Sequence, residues 1–208
     1  MDLRVAQTIA DTEAEGPGRR FAVWVQGCTL GCPGCCNPEM LAPGRGGRVV
    51  DAGALAAEIA ATPHIEGLSL LGGEPFQQAE GCAAVAAAVR ATGRTVMTYT
   101  GFTLDELRVR ATSGEPGVAA LLDATDLLVD GRYLRDQPEP PPAAGGRRYV
   151  GSRNQRLHFL SSRYSADDPR LQAPNSVELR LVGGQLTING WPAGAAAFVP
   201  LRRGARVR

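Results

Sequence analysis

Four of the five cysteines of the 208-residue chain fall within nine residues, and this cluster constrains the chain more than any other feature. Cys28, Cys32 and Cys35 have the spacing C-x3-C-x2-C, and Cys36 follows directly. A disulfide framework would spread an even number of cysteines along the chain, so metal binding explains the pattern better. The intervening Gly and Pro residues allow the backbone to wrap around one metal centre.

The number of ligands separates two kinds of metal centre. Structural zinc commonly takes four ligands from two separated pairs, and this sequence has no second pair. Cys82 falls on the inner face of a predicted helix, while His64 and His158 lie far away in the sequence. Three thiolates suit a [4Fe–4S] cluster that keeps one iron open for a substrate or cofactor. Structural zinc completed by Cys36 or by a partner chain is the alternative.

The composition excludes several classes of function. The chain has 22 Lys and Arg residues against 21 Asp and Glu residues, a formal net charge of +1, so we expect no nucleic-acid partner. All 22 cations are Arg, which excludes a P-loop lysine and a Schiff-base lysine. No apolar run reaches the ~18–20 residues of a membrane span, and the N-terminal residues lack the apolar region of a signal peptide. We therefore expect a cytoplasmic protein with reduced cysteines and no membrane partner.

Strands alternate with helices in the predicted secondary structure. Buried strands are predicted at 21–27, 68–71, 95–99 and 126–130, and helices at 52–62, 79–92 and 103–112. This alternation predicts an α/β domain with a parallel sheet. The segments 28–36, 72–75, 99–102 and 130–132 each follow a strand, and ligands bind at the carboxyl ends of parallel strands. The chain is too short for a full eight-unit barrel, which leaves a partial barrel or an open sheet.

The composition also predicts how the chain is divided. Residues 1–160 form the predicted main domain, with an edge strand at 3–9 and a mobile Pro-rich insertion at 137–146. Residues 161–208 form a predicted C-terminal extension, with a β-hairpin over about 177–190 around two glycines.

A second motif, together with the cysteine spacing, indicates a resemblance to a known family. Gly72-Gly73-Glu74-Pro75 directly follows a predicted strand downstream of the cysteine loop. Together the two motifs resemble those of the radical S-adenosylmethionine (SAM) superfamily. The resemblance implies a partial (βα) barrel, here of about five to six strands, in which the three spaced cysteines hold a [4Fe–4S] cluster. The fourth iron of that cluster binds SAM.

The resemblance also assigns contacts to the cofactor. Gly73 is expected to contact the SAM amino group, with Glu74 next to it, and SAM is expected to lie against the backbone on either side of the third cysteine. Asn37 either hydrogen-bonds SAM or holds the loop as an Asx turn. The implied SAM-binding residues are Gly34, Cys35, Cys36, Asn37, Gly72, Gly73 and Glu74.

Further segments resemble the activating proteins of anaerobic (class III) ribonucleoside-triphosphate reductases. These segments are EGPGRR (15–20), VQGCTLGCPGCCNPEM (25–40), YTGFTLDEL (99–107), DLLVDGRYLRD (126–136) and GSRNQRLHFL (151–160). The resemblance implies an enzyme that reductively cleaves SAM to methionine and a 5′-deoxyadenosyl radical. That radical takes a hydrogen atom from one glycine of the partner reductase, and a flavodoxin- or ferredoxin-type protein supplies the electron.

Some residues depart from the family pattern or have two interpretations. Gly34 stands where many superfamily members have an aromatic residue, and Cys36 competes with Cys35 as third ligand. Arg19 or Arg20 contacts the SAM carboxylate or the partner, or is simply a solvated charge. Two other functions stay open: a radical SAM enzyme acting directly on a small molecule or peptide, and a non-catalytic metal-binding interaction module.

Overall fold

The computed structural model describes residues 1–182 and 185–190. The strands are β1 (Asp2–Thr12), β2 (Arg20–Val25), β3 (Arg48–Asp51), β4 (Gly67–Gly72), β5 (Thr95–Tyr99), β6 (Leu127–Asp130), β7 (Arg156–Phe159), β8 (Val177–Val182) and β9 (Gln185–Gly190). The α-helices are α1 (Ala52–Ala61), α2 (Ala79–Ala91), α3 (Leu104–Thr112), α4 (Val118–Ala124) and α5 (Pro169–Gln172). Short 3-10 helices lie at Pro38–Met40, Pro75–Gln78 and Pro142–Ala144.

Seven strands form one mixed sheet in the order β3-β1-β2-β4-β5-β6-β7. The four central strands β2, β4, β5 and β6 are parallel, and antiparallel strands extend the sheet on both sides. The predicted α/β domain with a parallel sheet is therefore confirmed at its centre. The expected five to six strands were wrong, because β3 and β7 each add an antiparallel edge. The expected edge position of 3–9 was also wrong, because β3 pairs outside β1.

Local sequence signals explain where the helices begin. The Asp51 carboxylate accepts a hydrogen bond from the Ala54 N–H and so caps α1. Thr103 and Glu106 form the predicted capping box at the start of α3. Cys82 faces the core from α2 and is fully buried, as its spacing from Val85 and Val89 predicts.

The two faces of the sheet are covered differently. Alternate residues of the central strands, such as Leu68 and Leu70, face helices α1, α2 and α4 in the main core cluster. The opposite face presents Trp24 and Leu71, which pack with Met40 from the loop after β2. Helices α1, α2 and α4 therefore cover one face, while loop segments, the 3-10 helix Pro38–Met40 and the short helix α5 cover the other.

The C-terminal strands β8 and β9 pair as an antiparallel hairpin, as expected. The predicted turn at Gly183-Gly184 and the end of the extension, 191–208, lie outside the described residues. The polar face of the hairpin packs on the β1–β2 connection: Asn189 donates to Thr12 Oγ1 at 2.9 Å, and the Gly190 N–H donates to Glu15 Oε1 at 2.7 Å.

The Pro-rich insertion at 137–146 is held by its neighbours. Arg147 forms an ion pair with Glu139 at 2.7 Å, and the Arg153 N–H donates to the Gln137 carbonyl at 2.8 Å. None of the helices within residues 1–182 and 185–190 has the length and apolar character needed to cross a bilayer.

Candidate metal and cofactor site

The predicted site segments meet at one edge of the sheet. In the parallel register, Val25 is opposite Gly72, and Tyr99 is opposite Val129. The loops that follow β2, β4, β5 and β6 therefore leave the sheet side by side. This is the carboxyl edge, where α/β proteins bind ligands.

Hydrogen bonds fix both ends of the cysteine loop. The Gly27 N–H donates to the Met40 carbonyl at 2.8 Å, and the Cys28 N–H donates to the Leu41 carbonyl at 2.9 Å. Between these points, Gly31 and Gly34 have φ values of +60° and +81°, which side chains other than glycine rarely tolerate. The chain can therefore turn sharply twice between the first and third cysteines.

All four cysteines of the loop are free thiols. Cys28, Cys32 and Cys35 are partly accessible to solvent, and Cys36 is exposed. Within residues 1–182 and 185–190, no group of three or more Cys, His, Asp or Glu side chains is arranged to hold a metal ion. The three cysteines are thus neighbours on one fixed loop, and their sulfur atoms do not converge on a common point.

The third and fourth cysteines differ in acidity. A hydrogen bond from Cys36 lowers the pKa of Cys35 to about 6, and the same interaction raises the pKa of Cys36 well above its usual value. Burial raises the pKa of the Cys28 thiol. Because metals bind the thiolate form, this asymmetry favours Cys35 over Cys36 as a ligand.

The donor set fits an iron–sulfur cluster better than a zinc ion. Three partly accessible thiols lie on one loop that turns at Gly31 and Gly34, whereas Cys82 and His158 are held elsewhere in the fold. Cys82 is fully buried in the core, and His158 Nε2 lies 2.8 Å from the Asp130 carboxylate on β6.

The Gly72-Gly73-Glu74 segment runs beside the start of the cysteine loop. The Gly73 N–H donates to the Val25 carbonyl at 2.8 Å, and the Glu74 N–H donates to the Gly27 carbonyl at 2.9 Å. A Cβ atom built on Gly73 would lie 2.8 Å from the Gly27 carbonyl carbon. Glycine is therefore required at position 73 for the close approach of two backbone segments.

Glu74 has a structural role that its position in the sequence did not reveal. Its buried carboxylate accepts hydrogen bonds from the Phe76 N–H (2.9 Å), the Thr100 hydroxyl (2.8 Å) and the Gly101 N–H (2.8 Å). Burial raises the pKa of Glu74 to about 7, and these hydrogen bonds oppose that rise. The side chain therefore joins the segment after β4 to the turn after β5.

Contacts at the tip of the cysteine loop were also missed by the sequence analysis. The Thr29 N–H donates to Gln77 Oε1 at 3.0 Å, and Gln77 Nε2 donates back to the Thr29 hydroxyl at 2.6 Å. A Cβ atom on Gly101 would collide with Leu30. Only the proximity of the two loops in the fold reveals these contacts, because the partners are distant in sequence.

Asn37 and the two arginines of the first turn occupy different environments. Asn37 precedes the 3-10 helix Pro38–Met40 but forms no capping hydrogen bond with its side chain, so the Asx-turn interpretation is not supported. Arg19 is exposed and pairs with Asp11. Arg20 is fully buried at the opposite, amino end of the parallel strands, so both interpretations of this residue were wrong.

Comparisons with known proteins identify the family of the chain. The family model described as 4Fe-4S single cluster domain matches residues 14–158. The anaerobic ribonucleoside-triphosphate reductase-activating protein of Vibrio cholerae is 31% identical over 150 residues, which cover 69% of this chain and 89% of that protein. The protein of the same name from Salmonella typhimurium is 30% identical over 152 residues, covering 70% of this chain and 91% of the relative.

A search of solved structures matched the crystal structure of QueE from Escherichia coli, with a TM-score of 0.40 and 17% identity over 50% of this chain and 54% of that one. The family match covers more than half of the chain, and the named relatives are covered over most of their length. The chain therefore belongs to the 4Fe-4S single cluster domain family and to the family of anaerobic ribonucleoside-triphosphate reductase-activating proteins.

Proposed function

We propose that this protein is a radical SAM activating enzyme that places a glycyl radical on an anaerobic ribonucleoside-triphosphate reductase. The observation that carries the proposal is the meeting of the cysteine loop and the Gly72-Gly73-Glu74 segment at one sheet edge, joined by the Gly73 and Glu74 N–H groups. The relatives are named as activators of such a reductase, and we transfer that partner to this chain.

Cys28, Cys32 and Cys35 would hold one [4Fe–4S] cluster, with Cys36 as a protonated neighbour. When bound, the cluster supplies an electron for the cleavage of SAM to methionine and a 5′-deoxyadenosyl radical. The protein's own part is to keep three thiolates on one loop and to leave the adjoining edge free for SAM. The low pKa of Cys35 supports this choice of third ligand.

SAM would lie against exposed backbone beside the cysteine loop. We assign its contacts to the backbone of Gly34, Cys36, Gly72 and Gly73 and to the side chain of Asn37. Any contribution from Glu74 comes through its backbone, because its carboxylate is occupied by Thr100, Gly101 and Phe76. We propose that the sheet and its helices form a partial (βα) barrel of radical SAM type.

A protein substrate suits this edge of the sheet. The cysteine loop is partly exposed, with Gly34 and Cys36 open to solvent, so a polypeptide loop of the reductase can approach it. A flavodoxin- or ferredoxin-type protein would supply the electron. The five free cysteines suit a reducing compartment, and we place the protein in the cytoplasm. No feature of the described site favours the two alternatives, direct action on a small molecule and a non-catalytic metal-binding module.

The proposal is tested by following the radical on the partner. The protein is reconstituted anaerobically with iron and sulfide, then incubated with SAM, a low-potential reductant and the anaerobic reductase of the same organism. We expect a carbon-centred EPR doublet on the reductase whose hydrogen splitting collapses when the reductase contains [2,2-²H₂]glycine. Cys82→Ala should give the same signal, and Cys32→Ala should give none.

SAM cleavage by a fully loaded protein with no radical on the reductase would overturn the assigned partner. A signal of equal size from Cys32→Ala would overturn the assigned cluster ligands.

A further inference from the structure

The guanidinium group of Arg135 lies directly over Gly34. A Cβ atom built on Gly34 would lie 3.0 Å from Arg135 Nη2 and 3.1 Å from Cζ. The guanidinium therefore occupies the place of a side chain at position 34, immediately before Cys35. The positive φ of +81° favours glycine at position 34, and any side chain there would have to displace the Arg135 guanidinium.

Arg135 belongs to the segment after β6, and its side chain lies against Gly34 of the cysteine loop. Together with Pro33, Tyr133, Leu134 and Asp136 it lines a cavity of about 410 Å³. Among the residues that the structure describes, Arg135 forms no hydrogen bond or ion pair. Arg132, the preceding arginine of the same segment, instead forms an ion pair with Glu106 at 3.0 Å. The charge of Arg135 is therefore available to the loop beneath it.

A cluster at this loop would be anionic. Three thiolates outnumber the positive charges of an oxidised [4Fe–4S] core, and one-electron reduction without proton uptake adds a further negative charge. A nearby cation stabilises the reduced state more than the oxidised state, so it raises the reduction potential. The electron comes from the low-potential protein donor of the proposed function.

We propose that the positive charge of Arg135, held over Gly34, raises the reduction potential of the cluster bound by Cys28, Cys32 and Cys35. This inference rests on the proposed function, because it requires a cluster at that loop. It also accounts for Gly34: the space that an aromatic side chain would fill is taken by a cation from another loop.

The test is a redox titration of the anaerobically reconstituted protein, monitored by the EPR signal of the reduced cluster. Arg135→Gln should make reduction about fivefold less favourable, which is about 40 mV at 59 mV per tenfold for one electron. Arg135→Lys keeps the charge and should retain most of the wild-type potential. Arg108→Gln removes an equal charge from the exposed face of α3 and should leave the potential unchanged.

Asp136→Asn provides a second variant that does not depend on Arg135→Gln loading a cluster. It removes a negative charge from the same cavity, so the potential should shift in the opposite direction. Unchanged potentials in fully loaded Arg135→Gln and Asp136→Asn would overturn this inference and leave the proposed function intact. A wild-type protein that binds no cluster would overturn both. If Arg135→Gln weakens SAM binding while the potential stays constant, Arg135 is a SAM contact and the inference is wrong.

Discussion

Cys35 and Cys36 are adjacent, yet their thiol pKa values are shifted in opposite directions. Their mutual hydrogen bond lowers the pKa of Cys35 to about 6 and raises that of Cys36. Near neutral pH, Cys35 therefore provides a thiolate, whereas Cys36 keeps its proton. Spacing alone left both residues as candidates for the third ligand, because it carries no information about proton sharing.

Substitution of single cysteines should separate ligands from bystanders. We expect Cys28→Ala, Cys32→Ala and Cys35→Ala to lose most of the bound iron, since two remaining thiolates do not hold the cluster. Cys36→Ala and the matched core control Cys82→Ala should retain it. Iron and sulfide content after anaerobic reconstitution gives the answer. A loss in Cys36→Ala as large as that in Cys35→Ala would contradict this assignment.

The buried Glu74 carboxyl should make the free energy of unfolding depend on pH. Burial raises the pKa of the Glu74 carboxyl to about 7 in the folded state. Between the ordinary pKa of glutamate and pH 7, the carboxyl is therefore protonated in the folded protein and ionised in the unfolded chain. Stability from this group is fully present below that window and is lost as the pH rises through it. We expect Glu74→Gln to remove on the order of 2–3 kcal/mol of pH-dependent stability between pH 4.5 and pH 7.5.

Urea unfolding at several pH values measures this effect as the difference between variant and wild type. Glu58→Gln, on the exposed face of α1, is the control and should leave the pH dependence unchanged. A pH dependence in Glu74→Gln identical to that of wild type would show that the folded state does not retain the proton.

At the scale of elements, Arg20 fastens the amino ends of the central strands. Arg20 is the first residue of β2. Its guanidinium donates to the Ser69 hydroxyl on β4 at 2.7 Å and to the Thr95 hydroxyl on β5 at 3.1 Å. It also donates to the Tyr164 hydroxyl at 3.1 Å and to the Leu68 carbonyl. A planar group with several donors suits this set of acceptors, and lysine cannot reproduce it.

We expect Arg20→Lys to lower the free energy of unfolding by about 2–4 kcal/mol, because several buried acceptors lose their donors. The cysteine loop is at the other end of the strands, so folded Arg20→Lys should still bind iron at low temperature. Urea unfolding and iron analysis test both points. Arg19→Lys, at an exposed ion pair, should change stability by less than about 0.5 kcal/mol. A similar loss in both variants would contradict the role of Arg20.

The elements show which parts of the fold are readable from sequence. Strand β5 was predicted with its observed limits, and the capping box of α3 was predicted correctly, because apolar runs and caps are local signals. The burial of Arg20 was not predictable, since its partners at positions 69, 95 and 164 are brought together only by the fold. The same reason hides the contact of Arg135 with Gly34.

At the scale of the whole molecule, the buried structural network and the candidate cluster site lie at opposite edges of the sheet. Its amino edge carries the buried Arg20 network, and the Tyr149 hydroxyl donates there to the Gly16 carbonyl at 2.8 Å. Its carboxyl edge carries the cysteine loop and the Gly72-Gly73-Glu74 segment. Residues 16–20 (GPGRR) lie at this amino edge, where Arg20 is buried and Arg19 forms an exposed ion pair with Asp11. Either arginine was expected to contact SAM or the partner, or to be a solvated charge.

The central claim is that this carboxyl edge supports reductive cleavage of SAM, and one measurement tests it directly. The protein is reconstituted anaerobically, reduced and given SAM with the partner reductase present, and 5′-deoxyadenosine is quantified beside Cys32→Ala and Cys82→Ala. The account predicts 5′-deoxyadenosine from the wild type and from Cys82→Ala, and none above background from Cys32→Ala. A wild-type protein with a full cluster that forms no 5′-deoxyadenosine under these conditions would contradict it.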